Sequence, residues 1–342
     1  MIRTEKTRLN GTLHLDMPPC GGIYAASAER RHRREDAVSS VVALMLLLAV
    51  IATFISLYAT SYVPGLKEQS EINQINSVKE TFMESSNDIR HIASEKIPAS
   101  YGHLIPLGAG DILMSPEKSS GTLTVTDLGA FAEIRTTPTG APIATCRMVS
   151  IAFEPSYTFW EDQGYTWQYG YINVTKKGKT VPLTEFTMDD VCASGKFSTF
   201  ADSFVTFNKK GEFNASSGKE ELSSLTVDLV TIVPGNPSFV SGNSPTTLQI
   251  LADVREADPI HTHHLNFTFI NSTDTVMTEF SKHLAKETES NLNKFHTDYD
   301  NVLMPKTTRG INGRDIITLD IDGSSPPVAV TIRTVNISVS AS

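Results

Sequence analysis

The chain has few cysteines, and their spacing excludes the common cysteine-built sites. Its 342 residues contain three, Cys20, Cys146 and Cys192, and no two of them form a C-x-x-C pair. Neither a zinc knuckle nor a disulfide framework can be built from them. A single bridge between Cys146 and Cys192 requires that both face an oxidising exterior. Two small, buried residues are the favoured interpretation.

Basic charge is scarce as well. The net charge is −9, and residues 1–36 hold seven Lys and Arg against five Asp and Glu, so the remainder is more acidic still. A nucleic-acid-binding protein needs basic stripes that displace counterions from phosphates. The sequence therefore predicts no nucleic-acid partner. Its 40% hydrophobic and 20% charged content is that of a folded protein.

Catalytic signatures are absent: the sequence has no G-x-S-x-G, no H-E-x-x-H and no complete dinucleotide fingerprint. The stretch "HTHHLNF" raises one metal candidate, because His261 and His263 would share a face if it were a strand. A third ligand would have to come from elsewhere, such as Asp253 or Glu256. Surface histidines at the start of a strand are the favoured interpretation. We therefore predict neither an enzyme nor a bound cofactor or metal.

What the chain does have is one long apolar run, "AVSSVVALMLLLAVIATFISLYATSYVPGL", with no charged residue from Ala37 to Leu66. As a helix, 37–63 would measure ~40 Å, more than the ~30 Å core of a bilayer. It is apolar on every side, which predicts a membrane span and not the core helix of a soluble protein. The preceding "RRHRRED" predicts a cytoplasmic N-terminus and an extracellular remainder.

The stretch "REDAVSSVVALMLLLAVIA" resembles the N-terminus of archaeal type IV pilins and archaellins, which carry class III signal peptides. In that family a prepilin peptidase removes a charged leader on the cytoplasmic side, before the apolar helix. The resemblance implies that Asp36 and Ala37 precede the cut and that Val38 becomes the N-terminus. It also implies an assembly helix, with like subunits or other pilins as partners, that includes Val41, Val42, Leu46 and Phe54.

A signal anchor that is never cleaved is the alternative. Ser40 and Ala43 depart from the residues usual in the family, and a leader of 37 residues is long unless Met17 is the true start. Further stretches, among them "SPEKSSGTLTV" and "LTVDLVTIVPGNPSFVSGN", resemble archaeal pilin-like surface proteins of unassigned function. That resemblance implies no activity.

Beyond the apolar run the periodicity indicates first a helix and then strands. Pro64–Gly65 should kink or break the apolar helix. The polar helix that follows has an apolar seam formed by Ile72, Ile75, Val78, Phe82, Ile89 and Ile92. Alternation of period two in "LTVDLVTIV", "IITLDID" and "VAVTIRTVNISV", the last with a change of phase typical of a bulge, predicts antiparallel strands. One further helix is predicted from Met277, Phe280, Leu284 and Phe295, with Asp274 as its cap.

These patterns predict an α+β protein: a long N-terminal transmembrane and amphipathic helix, then a mainly antiparallel β-sandwich ectodomain with one additional helix. The predicted segments are a leader (1–37), a transmembrane helix (38–63), an amphipathic extension (64–98) and an extracellular head (99–342). The extension could pack on its own domain, on neighbouring subunits, or on both.

Two features of the head bear on binding. Aromatic residues at 165, 167, 169 and 171 would share one face of a strand, where an inner, buried face is favoured over an exposed ligand-binding ribbon. Five N-x-S/T sites are permitted glycosylation acceptors on an exported domain: Asn173, Asn214, Asn266, Asn271 and Asn336.

Two functions are consistent with these observations. The first is a pilin-like structural subunit, or a minor pilin, of an archaeal type IV pilus-like surface filament, anchored in the cell membrane by a single span before assembly. The second is a single-span cell-surface protein that binds a glycan or protein ligand and does not polymerise. They differ in whether the leader is removed.

Overall fold

The computed structural model describes residues 29–112, 115–183, 198–215, 218–271, 275–311 and 313–342. The chain divides into two units, Met1–Ser61 and Tyr62–Ser342. The first unit contains helix α1, Glu29–Leu57. Among the described residues, the helical stretch Ser40–Glu95 is the one long and apolar enough to cross a membrane.

Helical geometry changes between the two predicted helices, but not at the predicted place. A π-helical segment, Tyr58–Tyr62, follows α1, and α2 runs from Val63 to Glu95. Pro64 and Gly65 therefore lie inside α2, so the helix does not break at these two residues, and a kink there stays a prediction. Pro64 occupies the first turn of α2, where a residue without an N–H group is best tolerated.

The second unit begins with α2, whose amphipathic pattern is confirmed. Ile75, Val78, Phe82, Ile89 and Ile92 are each at most 3% exposed, because their common stripe packs into the unit's core. Ile72, the first residue of the predicted seam, is only half-buried. The helix ends at Glu95, and the next residue, Lys96, adopts the left-handed conformation with φ 55°. Its backbone N–H donates to the Ile92 carbonyl at 2.8 Å, which satisfies one of the last helical acceptors.

Fifteen strands follow, with two further helices among them, in the residues that the structure describes. The strands are β1 (Ala99–Pro106), β2 (Ser120–Arg135), β3 (Ala144–Ser156), β4 (Gln163–Gln168), β5 (Tyr171–Lys176), β6 (Lys179–Pro182), β7 (Val205–Asn214), β8 (Lys219–Pro234), β9 (Phe239–Gly242), β10 (Pro245–Glu256), β11 (Ile260–Thr262), β12 (His264–Ile270), β13 (Lys306–Ile311), β14 (Arg314–Asp320) and β15 (Val328–Ala341). The helices are α3 (Ser198–Ala201) and α4 (Thr275–Asp298).

The strands form two sheets. The six-stranded sheet has the order β1-β10-β15-β8-β7, with β11 also paired to β15, and the nine-stranded sheet has the order β13-β14-β12-β2-β3-β4-β5-β6, with β9 paired to β2. Strands β15 and β8 are parallel, and the other pairings between named strands are antiparallel. The predicted α+β class is confirmed. The predicted β-sandwich is not confirmed. Helix α2 contacts strands of both sheets, and β2 and β3 of the second sheet also contact β8 of the first.

Contacts on two sides place α2 in this position. On the first sheet, the His103 ring on β1 hydrogen bonds the Asp88 carboxylate at 2.7 Å. On the second, the indole N–H of Trp167 on β4 donates to the Ser86 hydroxyl at 3.1 Å. Because α2 is covered on two sides, the buried part of its surface is wider than the apolar seam. Small and polar side chains such as Ser86 are therefore buried beside the seam, where they need hydrogen-bond partners.

The change of phase in β15 is confirmed, but its predicted cause is wrong. Val328, Val330 and Ile332 are buried, and then Val335, Ile337 and Val339. The pairing with β8 nevertheless keeps one register from Ala329 to Val339, with no bulge. The two halves of β15 therefore bury opposite faces. This is possible because β15 is a central strand, flanked by β10 and β8, that can be covered on either side.

Helix α4 confirms the remaining helix prediction. Its predicted stripe of Met277, Phe280, Leu284 and Phe295 is at most 4% exposed. The predicted cap, Asp274, lies outside the described residues. The single turn α3 was not predicted.

Candidate functional site

The predicted assembly residues lie on the exposed surface of α1. The exposed fractions are 52% for Val41, 49% for Val42, 63% for Leu46 and 68% for Phe54. Side chains of this size lose favourable free energy while they contact water, about 25 cal/mol for each Å² of apolar surface. The helix therefore presents a continuous apolar surface that the described residues of the chain leave uncovered. Asp36, Ala37 and Val38 fall within α1, but their side chains lie outside the described part of the chain.

The seam of α2 is covered differently, by its own domain. Phe82 packs against Tyr165 on β4, with 6.0 Å between ring centres. Val78, Ile89 and Ile92 are fully buried. The predicted packing of this seam on its own domain is confirmed. The apolar face of α2 is thus not available to a neighbouring subunit while the domain stays folded.

Buried polar residues extend this seam toward the start of α2. The Glu71 carboxylate is 2% exposed and accepts hydrogen bonds from the backbone N–H groups of Thr158, Phe159 and Trp160, at 3.1, 3.0 and 2.6 Å. The Lys67 ammonium donates to the Glu117 carbonyl at 2.9 Å. These contacts attach the first turns of α2 to two loops of the domain.

Sequence reasoning missed this contact. A signal was present, since Lys67 and Glu71 lie at helical spacing from Gln74 and Val78 and so continue the apolar seam. Gln74 fits the same pattern: it is buried, and its side-chain amide donates to the Pro106 carbonyl at 2.7 Å. Polar side chains on a buried stripe indicate specific partners.

The histidines of "HTHHLNF" line a polar cavity of about 630 Å³. His261 belongs to β11, whereas His263 stands between β11 and β12, so the two do not share a strand as the metal hypothesis required. His264 and Lys306 each donate to the Asp320 carboxylate at 2.8 Å. Nδ1 of His263 is buried and has no hydrogen-bond partner in the described part of the chain.

The electrostatics of this cavity follow from those contacts. Burial by itself would raise the pKa of Asp320, but the hydrogen bonds from Lys306 and His264 outweigh it and hold this pKa below its ordinary value. The carboxylate therefore stays ionised beside one ammonium group and three imidazoles. Such a lining can donate and accept several hydrogen bonds to a small polar ligand.

A metal-type arrangement occurs elsewhere, at Asp202, His283 and Glu287, whose ligand atoms all lie within 4.8 Å of one another. It is the one such group among the residues that the structure describes. Neither His261 nor His263 takes part in it.

The aromatic residues near β4 are buried, as favoured. Tyr165, Trp167 and Tyr169 are at most 2% exposed, and Tyr171 is half-buried. They do not lie on a single strand, however. Tyr169 and Gly170 have φ of 51° and 80° and form the turn between β4 and β5, a geometry typical of a two-residue hairpin.

The five predicted glycosylation sites differ in exposure. Asn173 on β5 is 5% exposed, and Asn266 on β12 is 1% exposed. The Asn266 side-chain oxygen also accepts a hydrogen bond from the Thr318 hydroxyl at 2.8 Å. Asn214, Asn271 and Asn336 are half-buried. All five stay predictions, and the more accessible three are the better acceptors in the folded domain.

Cys146 is buried on β3, and burial raises the pKa of its thiol to about 12. Cys192 lies outside the described residues, and Cys20 lies in the predicted leader, also outside them. The pairing of Cys146 with Cys192 therefore stays a prediction.

Comparison with known proteins adds no relative. No family model, no curated protein and no solved structure matches the chain.

Proposed function

We propose that the chain is a pilin-like structural subunit, or a minor pilin, of a surface filament that is anchored in the membrane before assembly. The exposed apolar surface of α1 carries the proposal. In the bilayer, lipid covers this surface. On leaving the bilayer, only the equivalent helices of other subunits could keep it from water.

Two further observations support the proposal. The residues just before the span, "REDAVSSVV", resemble the processing site of archaeal pilins, where removal of the leader permits assembly. In addition, the apolar seam of α2 packs into the core of its own domain. Contacts between helices of different subunits would thus be made by α1, and the α+β domain would be displayed outside.

Site-specific photo-crosslinking tests this proposal in the producing cell. A photoreactive residue at Leu46 or Phe54 should crosslink to α1 of a second copy and give a ladder of multimers. The same residue at Met83, which is 46% exposed on α2, is the matched control and should give no such ladder. Crosslinks from Leu46 and Phe54 to lipid alone would contradict assembly.

The cavity around His261, His263 and His264 favours a second candidate: a single-span surface protein that binds a small polar ligand and never polymerises. This candidate predicts that the leader is retained and that crosslinks from α1 reach lipid only. Its ligand would bind equally well to the monomeric protein.

A further inference from the structure

Three side chains from two separate parts of the second unit converge on one surface point. His283 and Glu287 are four residues apart on α4, so they project from the same face one turn apart. Asp202 directly follows α3, and its carboxylate lies 3.0 Å from Nε2 of His283. The ligand atoms of all three lie within 4.8 Å of one another.

The fold holds Asp202 in place. Its two flanking phenylalanines, Phe200 and Phe204, are at most 4% exposed. Two backbone hydrogen bonds close the turn around it, from Ser203 N–H to the Phe200 carbonyl at 3.2 Å and from Phe204 N–H to the Ala201 carbonyl at 2.9 Å. Asp202 is therefore a short, exposed side chain on a turn with buried anchors.

The same anchors fix α4. Phe280 is fully buried, and its ring centre lies 5.4 Å from that of Phe204 and 6.5 Å from that of Phe200. Phe280 precedes His283 by one helical turn, so the packed rings set the distance between the turn and the helix. Packing of this kind favours metal binding, because side chains that are already held in position lose little conformational freedom when the ion binds.

We propose that Asp202, His283 and Glu287 bind one divalent transition-metal ion of the zinc class. One imidazole nitrogen and two carboxylate oxygens form a mixed donor set that suits such ions. At metal–ligand distances of about 2.0–2.2 Å, the donors of one ion lie roughly 3–4 Å apart, so the observed spacing needs only a small contraction. The ion replaces the direct hydrogen bond between His283 and Asp202.

Charge and coordination number narrow the choice of ion. With a neutral imidazole the two carboxylates supply two negative charges, which one divalent cation balances. The nearby ammonium of Lys282 is paired with Glu279 at 2.8 Å. Calcium takes about six to eight oxygen ligands, more than this group offers. Three protein ligands leave a coordination position for water or for a group from another molecule.

Metal binding is tested on the full-length chain, purified in detergent and freed of metal. Zinc is titrated against a competing chelator, and bound zinc is measured by elemental analysis. Asp202→Asn and Glu287→Gln change charge with little change of shape, and each should weaken the binding of one zinc ion by about tenfold or more. Zinc should raise the melting temperature of the wild type and not that of either variant.

His103→Gln is the matched control, because His103 also lies beside two carboxylates, Asp88 at 2.7 Å and Glu84 at 3.6 Å. That group does not meet the mutual distance found at Asp202, and the variant should keep the zinc affinity of the wild type. Melting temperatures without metal verify that each variant is folded. Equal zinc affinity and stoichiometry in the wild type, Asp202→Asn and Glu287→Gln would overturn the proposal, as would a wild type that binds no zinc.

Discussion

Replacement of Glu71 by alanine should release the loop at 158–160 from α2. In the structure one buried carboxylate accepts three backbone N–H groups, from Thr158, Phe159 and Trp160. Alanine removes all three acceptor contacts at once and leaves a space beside Lys67. In the described part of the chain, no other side chain accepts from these three N–H groups. They must therefore turn to water, which requires the loop to open.

The size of the effect follows from those contacts. A hydrogen bond to a charged group contributes about 1.5–3 kcal/mol, and the three bonds share one carboxylate, so their contributions do not simply add. The Phe159 side chain is 40% exposed, so water can reach this loop and recover part of the loss. We expect a loss of about 3 kcal/mol in the free energy of unfolding, the lower end of the range for breaking a buried charged contact. Glu71→Gln keeps one acceptor oxygen and should lose about half as much.

Hydrogen exchange measured by mass spectrometry on the full chain in detergent detects this change locally. At about 1.4 kcal/mol per factor of ten, amide exchange at 158–160 should accelerate roughly a hundredfold in Glu71→Ala. The melting temperature should fall by roughly 6–12 °C. Glu68→Ala is the control, since Glu68 is an exposed glutamate on the same helix. Unchanged exchange at 158–160 in Glu71→Ala would refute the role assigned to this carboxylate.

Three further predictions concern the second unit. Gly170→Ala should lower the free energy of unfolding by roughly 2–4 kcal/mol, and Gly178→Ala by only about 1–2 kcal/mol, as measured by thermal unfolding. Both glycines have positive φ, but only at Gly170 would the added carbon meet an aromatic ring, that of Phe200 at 2.7 Å. Equal losses in the two variants would contradict this explanation. The folded domain lowers the pKa of Asp320, so this carboxylate stabilises the domain at pH values above the pKa that it has in the unfolded chain, and that stability is lost as the pH falls. Lys306→Met should raise the pKa of Asp320 and move the midpoint of acid unfolding to higher pH. An unmoved midpoint would count against the contact. Because burial raises the pKa of the Cys146 thiol to about 12, iodoacetamide at pH 8 should modify Cys146 only after unfolding, and rapid native modification would show that the site is open.

The sequence predicted those elements whose periodicity reflects one buried face. The seam from Ile75 to Ile92 and the α4 stripe that includes Phe280 were read correctly because a single apolar face repeats over several turns. Strands β8 and β14 were predicted from alternation, but β8 is buried on both faces from Val227 to Ile232. The change of phase in β15 was also visible, but its meaning was not, because a bulge and a strand covered on opposite faces give the same pattern.

The parts that the sequence did not predict depend on contacts between distant residues. Glu71 meets Thr158 across 87 positions, and Asp202 meets His283 across 81. No local pattern marks such pairs. The turn at Tyr169–Gly170 was missed for a different reason: aromatic residues at every second position imitate one continuous strand, although Gly170 supplies the positive φ that a tight turn needs.

The most direct test of the proposed function is the identity of the first residue of the mature chain. Protein isolated from the membrane is digested, and its N-terminal peptide is identified by mass spectrometry. The proposal predicts a start at Val38, or within one residue of it, with the leader 1–37 absent. A mature chain that still carries residues of the leader at its N-terminus would contradict the pilin-like assignment and would favour the anchored binding protein.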